Sequence, residues 1–211
     1  MLTQTEKSVA CWNCGQAPED VHFCRHCGFL QPPASDYFEY LGLLQKLQID
    51  RAVLEKNFYS LSRRLHPDVY FKRPDRERQL SEDATALLND AYRTLKDPVA
   101  RAEYLLSLHG MNKSEQKSSN VPPELLEEVF ELNMALEEIR HGDASVRPQL
   151  EAAKAKFEGM LGEADRQMEE LFGEWDRTSE RRVLEQINGV LQRRKYIQNL
   201  LRDVNEAVTS D

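Results

Sequence analysis

"RRLHPDVYFKRP", residues 63 to 74, sets His66-Pro67-Asp68 between two charged stretches that both read as helix. Proline cannot extend a helix from within, because it has no N–H to donate and its ring crowds the preceding turn. On the N-terminal side Asp50 is placed to cap a helix, and Leu54, Phe58, Leu61 and Leu65 recur at i, i+4, i+7 and i+11 as one apolar face. The opposite side of that helix carries Lys56, Arg63 and Arg64. On the C-terminal side, Leu80, Ala84, Leu87, Leu88, Ala91 and Leu95 give a second amphipathic helix from about Arg76 to Lys96. Two such helices joined by some ten residues are expected to pack as an antiparallel hairpin. His66-Pro67-Asp68 then lies exposed at the hairpin tip, at the end of a basic helix face.

The neighbouring sequence extends this helical unit. "QPPASDY", residues 31 to 37, reads as a stiff linker ending in an N-cap, Ser35 or Asp36, for a short helix from Tyr37 to about Lys46 that is apolar through Phe38, Leu41 and Leu44. Asp97-Pro98 is an N-cap followed by proline at the first helical position, and Gly110 ends the helix it starts. Composition agrees: 211 residues, 40% hydrophobic and 30% charged, with Glu, Leu, Arg, Ala and Gln dominant beyond residue 36, predict an all-α protein of one or two globular domains. A net charge of -8 argues against nucleic-acid binding through bulk electrostatics. No apolar run approaches the ~18 residues needed to span a bilayer. The start, "MLTQTEKSVACWNC", has neither a signal-peptide core nor the character of a transit peptide. The bacterial cytoplasm is therefore the expected compartment, with the mitochondrial matrix the alternative.

All four cysteines fall in the first 27 residues, as Cys11-x2-Cys14 and Cys24-x2-Cys27. Each x2 knuckle can present two thiolates to one ion, and the nine residues between the pairs bring the second knuckle round to complete a tetrahedral site. Gly15 and Gly28, one after each pair, give the backbone freedom to turn. Zinc is the expected ion and iron the alternative; two disulfides are the competing reading in an oxidising compartment. His22 and His26 are expected to be bystanders, since four thiolates fill the shell. A closed site leaves no open position for a substrate, so the metal is read as structural. The linker prolines are expected to separate this zinc-ribbon-like module from the helices as an independent core.

"MNKSEQKSSNVPPE", residues 111 to 124, is a polar linker. Three helical segments follow, near 123 to 141, 146 to 172 and 178 to 208, joined by "HGD" at 141 to 143 and "GEWDRTS" at 173 to 179, as in an up-down three-helix bundle. In the last segment Val183, Ile187, Val190, Ile197, Leu201, Val204 and Val208 make a core seam that Arg194 interrupts. The first segment has apolar residues to spare. Leu125, Val129, Leu132, Leu136 and Ile139 already complete its seam, and at ~100° per residue Leu126, Phe130 and Met134 fall on another side. Glu127, Glu131 and Glu138 border that second stripe. A monomeric bundle does not need such a strip, and partner binding or contact with the hairpin would explain it.

A short tyrosine-containing helix, a basic helix ending in "LHPD", a loop, and a helix leading into "LLNDAYRTLKDPVARAEYLL" resemble the J domain of the Hsp70 co-chaperones over roughly residues 36 to 108. With the cysteine knuckles ahead and the helical tail behind, the sequence is similar to the HscB family of iron-sulfur cluster biogenesis co-chaperones, in the form with an N-terminal four-cysteine module. The resemblance implies a four-cysteine module and linker at 1–34, a J domain at 35–110, a linker at 111–122 and a scaffold-binding three-helix bundle at 123–211. It implies that His66, Pro67 and Asp68, with Arg63, Arg64 and Lys56, engage an HscA-like Hsp70 and stimulate its ATPase, and that the protein itself is not an enzyme. It further implies that "LLEEVFELNMALEEI", 125 to 139, binds the iron-sulfur scaffold protein (IscU/ISCU), through Leu126, Glu127, Phe130, Glu131, Met134 and Glu138. Tyr196, in "RRKYIQNL", stands at the family's aromatic contact position, while Glu127 and Met134 replace the family's usual apolar and acidic residues respectively. Two rivals come from other classes. A generalist J protein lacks support here, because the Gly/Phe-rich linker and β-rich client domains are missing. A zinc-ribbon nucleic-acid binder is disfavoured by Gln16, Glu19 and Asp20 in the knuckles, which offer little cationic surface.

Overall fold

The structure is a computed structural model that describes residues 10–33, 36–111 and 125–209. The elements in chain order are α1 (Tyr37–Tyr40), α2 (Arg51–Leu65), a single 3-10 turn (Pro67–Tyr70), α3 (Asp75–Lys96), α4 (Pro98–Leu108), α5 (Leu126–Arg140), a short 3-10 turn (Ala144–Val146), α6 (Arg147–Thr178) and α7 (Arg181–Thr209). Among the described residues the β pairing is confined to one isolated bridge, Phe23 to Leu30, inside the cysteine module. The chain forms two compact units, Met1–Tyr104 and Leu105–Asp211, with the division falling inside α4.

In the first unit, Asp50 caps α2 by accepting from the amides of Ala52 (2.8 Å) and Val53 (3.3 Å). Leu54, Leu61 and Leu65 are buried, as are Leu80, Ala84, Leu88, Ala91 and Leu95 of α3, so the two apolar faces meet. The pair is antiparallel. At one end Tyr92 of α3 stacks on Phe58 of α2, 4.1 Å between centroids, and at the other the hydroxyls of Ser81 and Thr85 reach the Leu65 carbonyl. Asp36 caps α1; Ser35, the other candidate, lies outside the described residues. The expected helix to Lys46 is corrected to one turn. The Leu41 carbonyl, which a longer helix would use internally, instead accepts from Asn57 Nδ2 at 2.9 Å, and Leu44 is 75% exposed rather than packed. Buried Arg101 of α4 ties down the stretch that follows: its Nε donates to Leu47 O at 2.8 Å and its Nη1 to Leu95 O. Tyr104 stacks on Tyr37 at 4.3 Å, and its hydroxyl accepts from the Tyr37 amide.

The second unit is a three-helix bundle whose α6, with 32 residues, is about 48 Å long at 1.5 Å rise per residue. The 15-residue α5 packs on part of the α6–α7 hairpin through Leu125, Val129, Leu132 and Leu136, against Leu150 and Phe157 of α6 and Ile197, Leu201 and Val204 of α7. Arg194 interrupts the α7 seam because its Nε donates to Asp165 Oδ1 of α6 at 2.6 Å. The expected connection at 173 to 179 is corrected. Trp175 is buried, α6 runs on to Thr178, and the chain reverses at Ser179, whose φ of 51° is left-handed and whose amide donates to Trp175 O. The linker assigned to 111–122 lies outside the described residues except for Met111.

Candidate functional site

Three features could carry function: the turn after α2, the cysteine cluster, and the free side of α5. The turn is built on the last carbonyls of α2, which have no intrahelical partner. Tyr70 Oη donates to Arg64 O at 3.2 Å, Ser81 Oγ to Leu65 O at 2.5 Å, and Thr85 Oγ1 to the same oxygen at 3.1 Å. With those groups satisfied the helix can stop sharply at His66, and Pro67 opens the 3-10 turn with its fixed φ. His66 Nδ1 accepts from the Asp68 amide at 3.3 Å and so caps the turn, with Asp68 Oδ2 3.5 Å away. The Asp68 side chain is 91% exposed. His66, Pro67 and Asp68 thus form one rigid projection, and Arg63 and Arg64 stand in the last helical turn beside it, where the helix dipole favours cations. Lys56 is exposed two turns earlier, at i−7 from Arg63. This arrangement presents an exposed carboxylate on a braced turn next to a cationic face, which suits recognition rather than bond chemistry. Reading the sequence did not reveal Tyr70, Ser81 and Thr85 as the supports. The available signal was a pair of hydroxyls four residues apart near the start of α3.

The sulfur atoms of Cys11, Cys14, Cys24 and Cys27 lie within 4.8 Å of one another. Gly15 (φ +73°) and Gly28 (φ +75°) turn the chain after each knuckle, and their amides donate back to Cys11 O and Cys24 O. The Asn13 amide and Gln31 Nε2 each donate to Cys11 Sγ at 3.4 Å. Burial pushes the Cys11 thiol up, but the amides of Cys14 and Asn13 and the neighbouring thiols outweigh it and hold it down at about 6. The Gln16 amide pulls Cys14 down; burial and the other three sulfurs prevail and push it up to about 12. Four thiols so close cannot all ionise alone, and a divalent cation bound among them would remove that conflict. The donor set therefore fits a metal. His22 packs edge-on against Tyr40 and His26 faces Glu19 Oε1 at 3.9 Å, so neither points to the cluster as a ligand.

The module does not stand apart from the helices, which corrects the expected independent core. The Arg64 guanidinium lies 4.5 Å from the Phe23 ring centroid and that of Arg76 lies 4.6 Å from the ring of Trp12. Glu77, 3% exposed, accepts from the Leu30 amide at 3.3 Å.

On α5, Leu126, Phe130 and Met134 are 56%, 67% and 49% exposed, while Leu125, Val129, Leu132 and Leu136 are buried. Glu127, Glu131 and Glu138 are exposed on the same helix. Glu128, which the sequence did not single out, pairs with Lys156 Nζ of α6 at 3.0 Å and so is tied to the bundle. Tyr196 belongs to α7 and is partly buried against the bundle core, where burial pushes its phenol up.

A hairpin of helices with a braced, projecting His-Pro-Asp turn beside a basic face, followed by a separate helical bundle, defines a J-domain co-chaperone, a class that acts through partners rather than as a catalyst. The family model of the DnaJ domain matches residues 36–104, and that of the HSCB C-terminal oligomerisation domain matches residues 121–205. The chain is 31% identical to mouse iron-sulfur cluster co-chaperone protein HscB, over 92% of this chain and 81% of that one. It is 36% identical to the human protein of the same name, over 69% of this chain and 64% of that one. The crystal structure of human co-chaperone protein HscB superposes with a TM-score of 0.68 at 29% identity, covering 96% of this chain and all of that one. Chaperone HscB from Vibrio cholerae gives 0.64 at 30% identity, covering 83% and 99%. The chain belongs to the HscB family of co-chaperones.

Proposed function

We propose that the chain is an iron-sulfur cluster co-chaperone that brings a scaffold protein of the IscU/ISCU kind to an HscA-like Hsp70 and stimulates ATP hydrolysis by that Hsp70. The observation that carries this reading is the braced turn, with Asp68 91% exposed and Arg63 and Arg64 beside it. His66 and Pro67 fix the backbone at Asp68, so that its carboxylate projects into solvent from a defined position of the chain. Arg63, Arg64 and Lys56 supply the cationic surface, and the Hsp70 contributes all of the bond chemistry. The scaffold is held by the other unit, through Leu126, Phe130 and Met134 with Glu127, Glu131 and Glu138 around them, and Tyr196 on α7. Exposure of three large apolar side chains on a helix whose core seam is already complete supports that assignment. Cys11, Cys14, Cys24 and Cys27 would hold zinc. Bound there, the ion supplies structure alone, because the four thiolates close its coordination shell.

The test is steady-state ATP hydrolysis by the Hsp70 with increasing amounts of the chain. Stimulation by the parent is expected, and His66→Gln or Asp68→Asn should abolish it while helicity and scaffold binding stay nearly unchanged. Full stimulation by Asp68→Asn would remove the J-domain mechanism.

A further inference from the structure

The cysteine module meets the J domain at the two helix ends that bracket the His66-Pro67-Asp68 turn. At the end of α2 the Arg64 guanidinium is seated over Phe23. At the start of α3, Arg76 lies over Trp12, and Glu77 accepts from the Leu30 amide with Oε1 while its Oε2 is buried without a hydrogen-bond partner. His22 meets Tyr40 edge-on at 4.5 Å, and Tyr40 Oη donates to Ala84 O, so a third contact passes into α3. Every module residue in these contacts lies within three positions of a cluster cysteine. Trp12 follows Cys11, His22 lies two residues before Cys24 and Phe23 one before it, and Leu30 lies three residues beyond Cys27. A carboxylate as buried as Glu77 is costly unless donors reward it, and the Leu30 amide is the donor that the module brings.

We infer that the four-cysteine module is a metal-dependent brace of the His-Pro-Asp turn. With the four sulfurs held together, Phe23 and Leu30 fix Arg64 and Glu77, and the loop between α2 and α3 is kept in the form that meets the Hsp70. Phe23 and Glu77 are positioning residues: they act through Arg64 and through the start of α3. The consequence for Hsp70 rests on the function proposed above; the bracing itself does not. Metal occupancy then sets the concentration of co-chaperone that is needed, not the maximal stimulation reached.

Amide hydrogen exchange on the full chain, zinc-loaded and after chelation, reads the brace directly. Loss of one or two cation–π contacts and a buried hydrogen bond should speed exchange over residues 64–77 about three- to thirtyfold and leave 126–209 unchanged. Two substitutions should act in the same direction at unchanged zinc content: Phe23→Ala and Glu77→Leu. Each should raise the concentration for half-maximal Hsp70 stimulation about three- to tenfold with the maximum retained, on the scale of such contacts. Glu77→Gln, which keeps an acceptor for the Leu30 amide, should restore the parent value. Equal protection over 64–77 with and without metal would overturn the brace. Unchanged half-maximal concentrations in both substituted chains would overturn its consequence for Hsp70. If Asp68→Asn stimulates like the parent, the Hsp70 reading fails by itself, and the exchange comparison still decides the brace.

Discussion

Ser81 and Thr85 both donate to one oxygen, the Leu65 carbonyl, and between them they set how sharply α2 can end. Ser81→Ala leaves Thr85 as donor and should cost about 1 kcal/mol, the ordinary net value of a buried hydrogen bond. Combining Ser81→Ala with Thr85→Val orphans the carbonyl, so the pair should cost more than the sum of the single changes, by roughly 1 kcal/mol or more. Urea unfolding of the two single variants and the double variant measures that excess; strict additivity would show that the carbonyl finds another partner. The residues that break a helix or carry charge were legible in the sequence: Pro67, Asp68, Arg63 and Arg64 declare themselves by type and spacing. The hydroxyls and Arg101 were not. A donor aimed at a carbonyl many residues away has no local pattern, because its partner is chosen by packing.

Helix α5 carries a buried apolar face and an exposed one on different parts of its circumference. Leu132 is buried in the bundle and Phe130, two residues away, is 67% exposed. Leu132→Ala should cost roughly 2 to 5 kcal/mol of fold stability. Phe130→Ala should cost little stability and weaken scaffold binding by roughly 1 to 3 kcal/mol, as loss of an aromatic anchor does. Calorimetric melting of both variants, with titration of each against the scaffold, checks the crossed outcome; parent-like scaffold binding by Phe130→Ala would show this face to be misassigned. Charge reversal at Glu131, at the rim of the stripe, should chiefly slow association and alter its salt dependence, measured by stopped-flow at several ionic strengths. Apolar periodicity is informative for this helix because its two stripes are distinct. At two other internal stretches it misleads, for opposite reasons. Leu41 and Leu44 continued an apolar period past the point where Asn57 takes the Leu41 carbonyl. "GEWDRTS" looked like a connection, although burial of Trp175 carries α6 through it.

At the scale of the molecule, the linker prolines suggested a metal module that folds by itself, but its rings and amides are spent on Arg64, Arg76 and Glu77. Nothing in the knuckle spacing discloses that, because the partners lie some 40 to 60 residues further on. Chelation should therefore melt the module and also lower the J-domain transition, by about 4–8 °C for each kcal/mol of lost contact, as expected for a domain of this size. It should not abolish that transition, since Leu54, Leu65, Leu88 and Leu95 form a core of their own. Differential scanning calorimetry with and without chelator reads both effects; a J-domain transition at an unchanged temperature would restore the independent module. The proposed function requires one chain to join a scaffold-binding unit to an Hsp70-activating one. The most direct test is Hsp70 ATP hydrolysis measured with the chain alone, with the scaffold alone, and with both together. The response to both should exceed the sum of the separate responses. A response no greater than that of the chain alone would contradict the proposed function, and would leave a J protein that stimulates its partner without delivering the scaffold.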